Sequence, residues 1–190
     1  MKKILSIILS IIMLVSMGTV AFAGDTVVSS GAREVEGIIK VGVNAELAPF
    51  EYMENDKIVG FDIDLMDYIS GKIGYGVEYV NMDFDKLIPA VVSGEVDCAI
   101  SAISINEERK SVIDYSIPYL TAIVSFKESE ELLKDKEKYA IIFPKTDRIS
   151  KSSITPEEYI YSQVNIAIEE LRDDHTIEKL IEKYLATSHF

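Results

Sequence analysis

The chain has 190 residues, with 19 Lys and Arg against 32 Asp and Glu, a net charge of −13 and one cysteine. So acidic a balance argues against nucleic acid and anionic membrane surfaces as partners. One thiol makes no internal disulfide, so stability must come from the core, where Cys98 reads as a small buried hydrophobe.

The first 23 residues have the pattern of a secretory signal peptide. Lys2 and Lys3 precede an apolar run from Ile4 to Val20, and Ala21-Phe22-Ala23 is a small-residue cleavage site. Cleavage near Ala23 would leave 17 basic against 32 acidic residues, net −15. It would also place the product outside the cytoplasm, periplasmic or secreted. Residues 24–37 form a loose polar leader, and 38–190 are long enough for one domain with a sizeable core.

From there the predicted elements alternate. Ile38 to Asn44 (IIKVGVN) is a β-branched strand. Phe50–Met53 and Ile58–Val59 flank a turn. In GFDIDLMDYISGKIG, Phe61, Leu65, Ile69 and Ile73 recur at helical spacing, with Asp62 expected to cap the start and Gly74 to end it. Val77–Met82 is a strand. DFDKLIPAVVSG is a short helix ended by Gly94, and its Pro89 is expected in the first turn, where a missing amide is harmless. Val96–Ile100 is a short buried strand, and Asn106 is placed to cap a helix over EERKSVI. Ile117–Phe126 is extended. Residues 127–138 form a strap with nine charges in twelve residues, and Tyr139–Phe143 (YAIIF) is the next strand. RISKSS, 148–153, is a polar loop. Thr155-Pro156-Glu157-Glu158 is a capping box with proline at the first helical position, and Thr176 is expected to cap the last helix. Strands alternating with helices give an α/β class, a mixed central sheet flanked by helices.

The segment most suited to chemistry is SAISINEERK, 101–110, just past a buried strand. Its small residues Ser101, Ala102 and Ser104 let a ligand approach backbone amides and hydroxyls. The planar fork of Arg109 can hold a carboxylate through two parallel charge-assisted bonds. Ligands in open α/β sheets sit beyond the carboxyl ends of strands. A solvated arginine on a surface loop is the plainer reading of the same residues.

Four stretches occur in order: AELAPFEY (45–52), VGFDIDLMDYI (59–69), MDFDKLIPAVVSGEVDCAISAISINEERK (82–110) and IDYSIPYL (113–120). Together they resemble the first lobe of the family 3 bacterial extracellular solute-binding proteins, the polar-amino-acid receptors of ABC importers. YAIIFPKTD (139–147) resembles the family's return crossing, and IAIEELRDDHTIEKLIEKYL (166–185) its closing helices, with His175 where glycine is usual. The resemblance implies a single lobe of the periplasmic-binding-protein type II fold: a core over 38–126, the strap of 127–138 in place of lobe two, and a return strand and closing helices over 139–190. It implies that Arg109 clamps an amino acid's α-carboxylate, that Ser104 offers its amide and hydroxyl, and that Ala102 offers its carbonyl to the α-ammonium. Ser101 would add a contact and Phe84 would pack on the ligand side chain. Leu47 stands where the family often has an aromatic stacker, and Asn44 where an acid often reads the side chain. The usual lobe-two acid for the α-ammonium has no counterpart.

Two functions follow as expectations. One is a one-lobed amino-acid binder serving an ABC importer permease, with weak affinity. The other is an interaction module that docks a permease or self-associates through the uncovered face. A few relatives of the fold catalyse dehydrations, but no catalytic pair is visible. The two histidines, His175 and His189, lack metal-ligand spacing, and no cofactor motif is present, so neither an enzyme nor a cofactor is expected.

Overall fold

A computed structural model of the chain describes residues 36–128, 131–146 and 155–186. The signal segment, the leader before Glu36 and the RISKSS loop lie outside the described residues.

The central sheet forms because short β-branched segments can be buried on both faces. It uses β1 (Ile38–Val43), β5 (Gly76–Asn81), β6 (Cys98–Ala99), β7 (Ile113–Tyr115) and β10 (Ile142–Pro144) in the order β5-β1-β6-β10-β7. β1 runs parallel to β5 and β6, while β10 is antiparallel to β6 and β7. A small antiparallel sheet joins β2 (Glu46–Leu47), β3 (Glu51–Glu54) and β4 (Lys57–Val59).

Alternation along β1 sends Ile39, Val41 and Val43 to one face, where all three are fully buried. That face receives α1 (Phe61–Ile73), α3 (Pro156–Asp173) and α4 (Thr176–Tyr184) through Phe61, Leu65, Met66, Ile69, Val164, Ile168, Leu171 and Leu180. The other face receives α2 (Phe84–Ser93) through Leu87, Ala90 and Val91. Gly42 permits that approach: a Cβ there would sit 3.2 Å from Leu87 Cδ2 and 3.3 Å from Val96 Cγ2. Cys98 is fully buried in the core, and burial pushes its thiol well above the ordinary range.

The capping box at Thr155 forms as expected. Thr155 Oγ1 accepts from Glu158 N at 3.2 Å, and Glu158 Oε2 accepts from Thr155 N at 2.9 Å. Four other expectations change. Asp62 does not cap α1; Gly60 holds that position at φ 139°, where a Cβ would meet Phe50 O at 2.2 Å, and Asp62 turns into the core. Pro89 lies inside α2 beyond its first turn, so the helix forgoes the bond from residue 89 to Asp85. EERKSVI yields only a 3-10 turn over Arg109–Ser111, because Ile113 already belongs to β7; Asn106 Oδ1 still accepts from Glu108 N at 2.7 Å. Thr176 is the first residue of α4 and His175 precedes it in the left-handed conformation, φ 61°.

β8 (Leu120–Glu128) pairs antiparallel with β9 (Glu131–Tyr139) from Leu120↔Tyr139 outward to Glu128↔Glu131. The described residues of the strap belong to these two paired strands: 127–128 end β8, and 131–138 lie in β9. The YAIIF segment therefore divides: Tyr139 ends the hairpin, and β10 resumes at Ile142.

Candidate ligand-binding site

The loop after β6 carries the site. At its base Ser101 is fully buried, and its Oγ donates to Glu51 Oε1 at 2.5 Å. Ala102 is in the left-handed region at φ 40°, which costs a residue with a Cβ about 1 kcal/mol. Its amide donates to Asp62 Oδ2 at 2.7 Å, and the Tyr119 hydroxyl donates to the same oxygen at 3.0 Å.

Glu51 and Asp62 are both fully buried, and their carboxyl groups interact. Glu51 Oε2 and Asp62 Oδ1 receive no hydrogen from any other described group. Burial of two interacting carboxyls favours keeping a proton on the pair. That proton belongs mainly to Glu51, whose carboxyl is pushed far above its ordinary value by burial first and then by the Asp62 charge. Asp62 receives the Ala102 amide and the Tyr119 hydroxyl, donors that favour a charged carboxylate. The pair thus anchors a strained loop to the core through its own backbone.

Beyond Ala102 the loop is fixed from the other side by β9. Ile105 N donates to Lys138 O at 2.9 Å, and Ala140 N donates to Ile103 O at 3.1 Å. Ser104 bridges Tyr139, and its hydroxyl donates to the Glu137 carboxylate. An open cavity of about 810 Å³ lies here, bordered by Phe84, Ala102, Ser104, Arg109, Pro118 and Glu137 among others. Phe84 opens α2 and is 43% exposed. Arg109 is half-buried. Its guanidinium has no hydrogen-bond or ion-pair partner among the described residues, while the adjacent Lys110 is paired with Glu107 at 2.5 Å. Such a fork can take a carboxylate from solution without first breaking an internal pair.

Of the residues picked from the sequence, the structure brings Phe84, Ala102, Ser104 and Arg109 around this cavity. Ser101 lies behind it, tied to Glu51. Asn44 donates its side-chain amide to Met82 O at 3.1 Å, and Leu47 sits exposed on β2; neither borders the cavity. Glu51, Tyr119 and Glu137 escaped the sequence reading. A signal for Glu137 was present: Lys134 to Lys138 alternate in sign residue by residue, which is the two-residue period of a strand.

An α/β lobe with a loop site at the carboxyl end of a sheet strand is a ligand-binding architecture. Residues 39–187 match the bacterial extracellular solute-binding proteins, family 3, and the chain belongs to that family. It is 33% identical over 178 residues to the arginine-binding extracellular protein ArtP of Bacillus subtilis, covering 85% of this chain and 68% of that protein. It is 40% identical over 81 residues to a probable histidine-binding protein of Campylobacter jejuni, covering 43% of this chain and 32% of the relative. Among solved structures, the arginine-bound form of domain 1 from TmArgBP superposes with a TM-score of 0.57 at 34% identity, covering 71% of this chain and 94% of that one. The arginine-, lysine-, histidine-binding protein ArtJ of Geobacillus stearothermophilus, at 21% identity and a TM-score of 0.65, shares the fold; the match covers 80% of this chain and 96% of that one.

Proposed function

We propose that this chain is an extracytoplasmic amino-acid-binding protein of an ABC importer, built on one lobe, which takes its ligand by the α-carboxylate. The observation that carries the proposal is the Arg109 guanidinium, without a partner among the described residues, on an open cavity next to a loop whose backbone is held in place from both sides. The arginine-bound domain 1 from TmArgBP supports it, because a single domain of a related protein holds an amino acid. The hairpin β8–β9 stands in the place of a second lobe, and the segment before Ala23 is the export signal. Docking of an importer permease on the lobe belongs to the same reading.

One open lobe leaves a ligand wet on one side. The expected affinity is near millimolar, about −4 kcal/mol. In an NMR titration of the chain with common amino acids, saturating shifts are expected over Ser101–Arg109. Arg109→Ala should weaken that binding at least tenfold. Unchanged binding in this variant would remove Arg109 from the site.

A further inference from the structure

Glu137 belongs to a strand that the sequence marks only as charge, yet it reaches the same cavity as Arg109. Its position is not that of a free surface side chain. Glu137 pairs across the hairpin with Ala122, and the strand continues into the Ser104–Tyr139 bridge and the two backbone bonds that clasp Ile103 and Ile105. The Ser104 hydroxyl then fixes the carboxylate. Among the described residues this hydroxyl is its one hydrogen-bond partner, and no ion pair quenches it. An ionised carboxylate has about four lone-pair sites, so most of its acceptor capacity is open. Lys136 and Lys138 border the same cavity from either side of Glu137. Lys110 is engaged by Glu107. The cavity therefore sets the Arg109 guanidinium, which has no partner among the described residues, beside a Glu137 carboxylate held there by the Ser104 hydroxyl.

We infer that Glu137 receives the α-ammonium of the ligand while Arg109 holds its α-carboxylate, so that both poles of a zwitterion are bound within one lobe. The inference rests on the reading of Arg109 given above. It makes Glu137 a specificity-determining residue: an α-amino acid is accepted, and the same acid without its amine is not. A carboxylate plugging the site against ligands is the opposite role for the same side chain, and the two differ in the sign of one measurement.

The test compares L-arginine with 5-guanidinopentanoate, which differs from it only by the α-amine, on wild type, Glu137→Gln and Arg109→Ala. The Gln variant keeps an acceptor for Ser104, and its amide spectrum reports whether the fold is intact. The expected result is a tenfold or greater preference of wild type for L-arginine, lost in Glu137→Gln because L-arginine weakens and the analogue does not. Arg109→Ala should weaken both probes. If Glu137→Gln binds L-arginine as well as wild type, or more tightly, the inference is overturned, the second result marking Glu137 as a plug. Equal weakening of both probes also overturns it, because the acid then reads the guanidinium. Unaltered binding in Arg109→Ala defeats the carboxylate reading separately. Failure of wild type to bind either probe at tens of millimolar overturns both.

Discussion

Glu51 and Asp62 are buried together behind the loop that carries the cavity, and their raised carboxyls make stability depend on pH. In the folded chain Glu51 is raised from 4.5 to about 10, and Asp62 from 3.8 to about 6. Below the ordinary carboxyl values, folded and unfolded chains both hold these protons and the contribution to stability is complete. As pH rises, the unfolded chain gives them up first, so unfolding releases protons and stability falls. Where the unfolded chain has released the Glu51 proton and the folded chain still holds it, the limiting slope is about 1.4 kcal/mol per pH unit. Glu51→Gln can still accept from Ser101 and can donate to Asp62. It should unfold at higher urea than wild type at pH 8 and show a flatter pH profile; an unchanged slope would mean that Glu51 is not the proton carrier. None of this was legible in the sequence. Asp62 stands two residues into a helix, where an acid is ordinarily a cap or a solvated side chain. The contact that buries it comes from Glu51, Ala102 and Tyr119, which no local period connects.

At the level of elements, period and punctuation were readable wherever one face is apolar. β1, α1, α3 and α4 lie where their spacing put them, and so does the Thr155 capping box. β9 was misread because it has no continuous apolar face; its pairing is with β8 and the cavity loop, and alternating charge replaces alternating hydrophobicity. The α3–α4 corner shows a second kind of misreading. Thr176 looks like a cap, but the chain turns one residue earlier, at His175 with φ 61° and ψ 23°. A residue with a Cβ pays for that conformation, and glycine does not. His175 thus holds, under strain, a conformation that glycine adopts freely. His175→Gly should stabilise the fold by about 1 kcal/mol, read as a higher urea midpoint with an unchanged denaturant slope. A lower midpoint would mean that the His175 side chain holds the corner through more than its long contact to Glu178, 3.9 Å.

On the scale of the whole molecule, the class of fold and the region of the site were legible because core segments and the 101–110 loop are contiguous in sequence. The opposite wall of the cavity was not, because β9 supplies it from about thirty residues further along. Binding and stability are linked through the same loop. A ligand that holds only the folded chain adds RT ln(1 + [L]/Kd), about 1.4 kcal/mol for about 10 mM ligand at a millimolar Kd. L-arginine at that concentration should therefore raise Tm by about 3–6 °C, and Arg109→Ala should abolish the shift. A rise that persists in Arg109→Ala would place the bound amino acid elsewhere on the molecule.

Strands β8 and β9 leave the lobe and return to it side by side, in register from Leu120↔Tyr139 to Glu128↔Glu131. Neighbouring strands are about 5 Å apart, so Glu128 and Glu131 lie side by side at the end of the ribbon. Such a place is a socket. A compact domain whose own two ends lie close together can be spliced between Glu128 and Glu131 with little distortion of either partner. The root of the same ribbon carries Glu137, and Tyr139 there bridges Ser104.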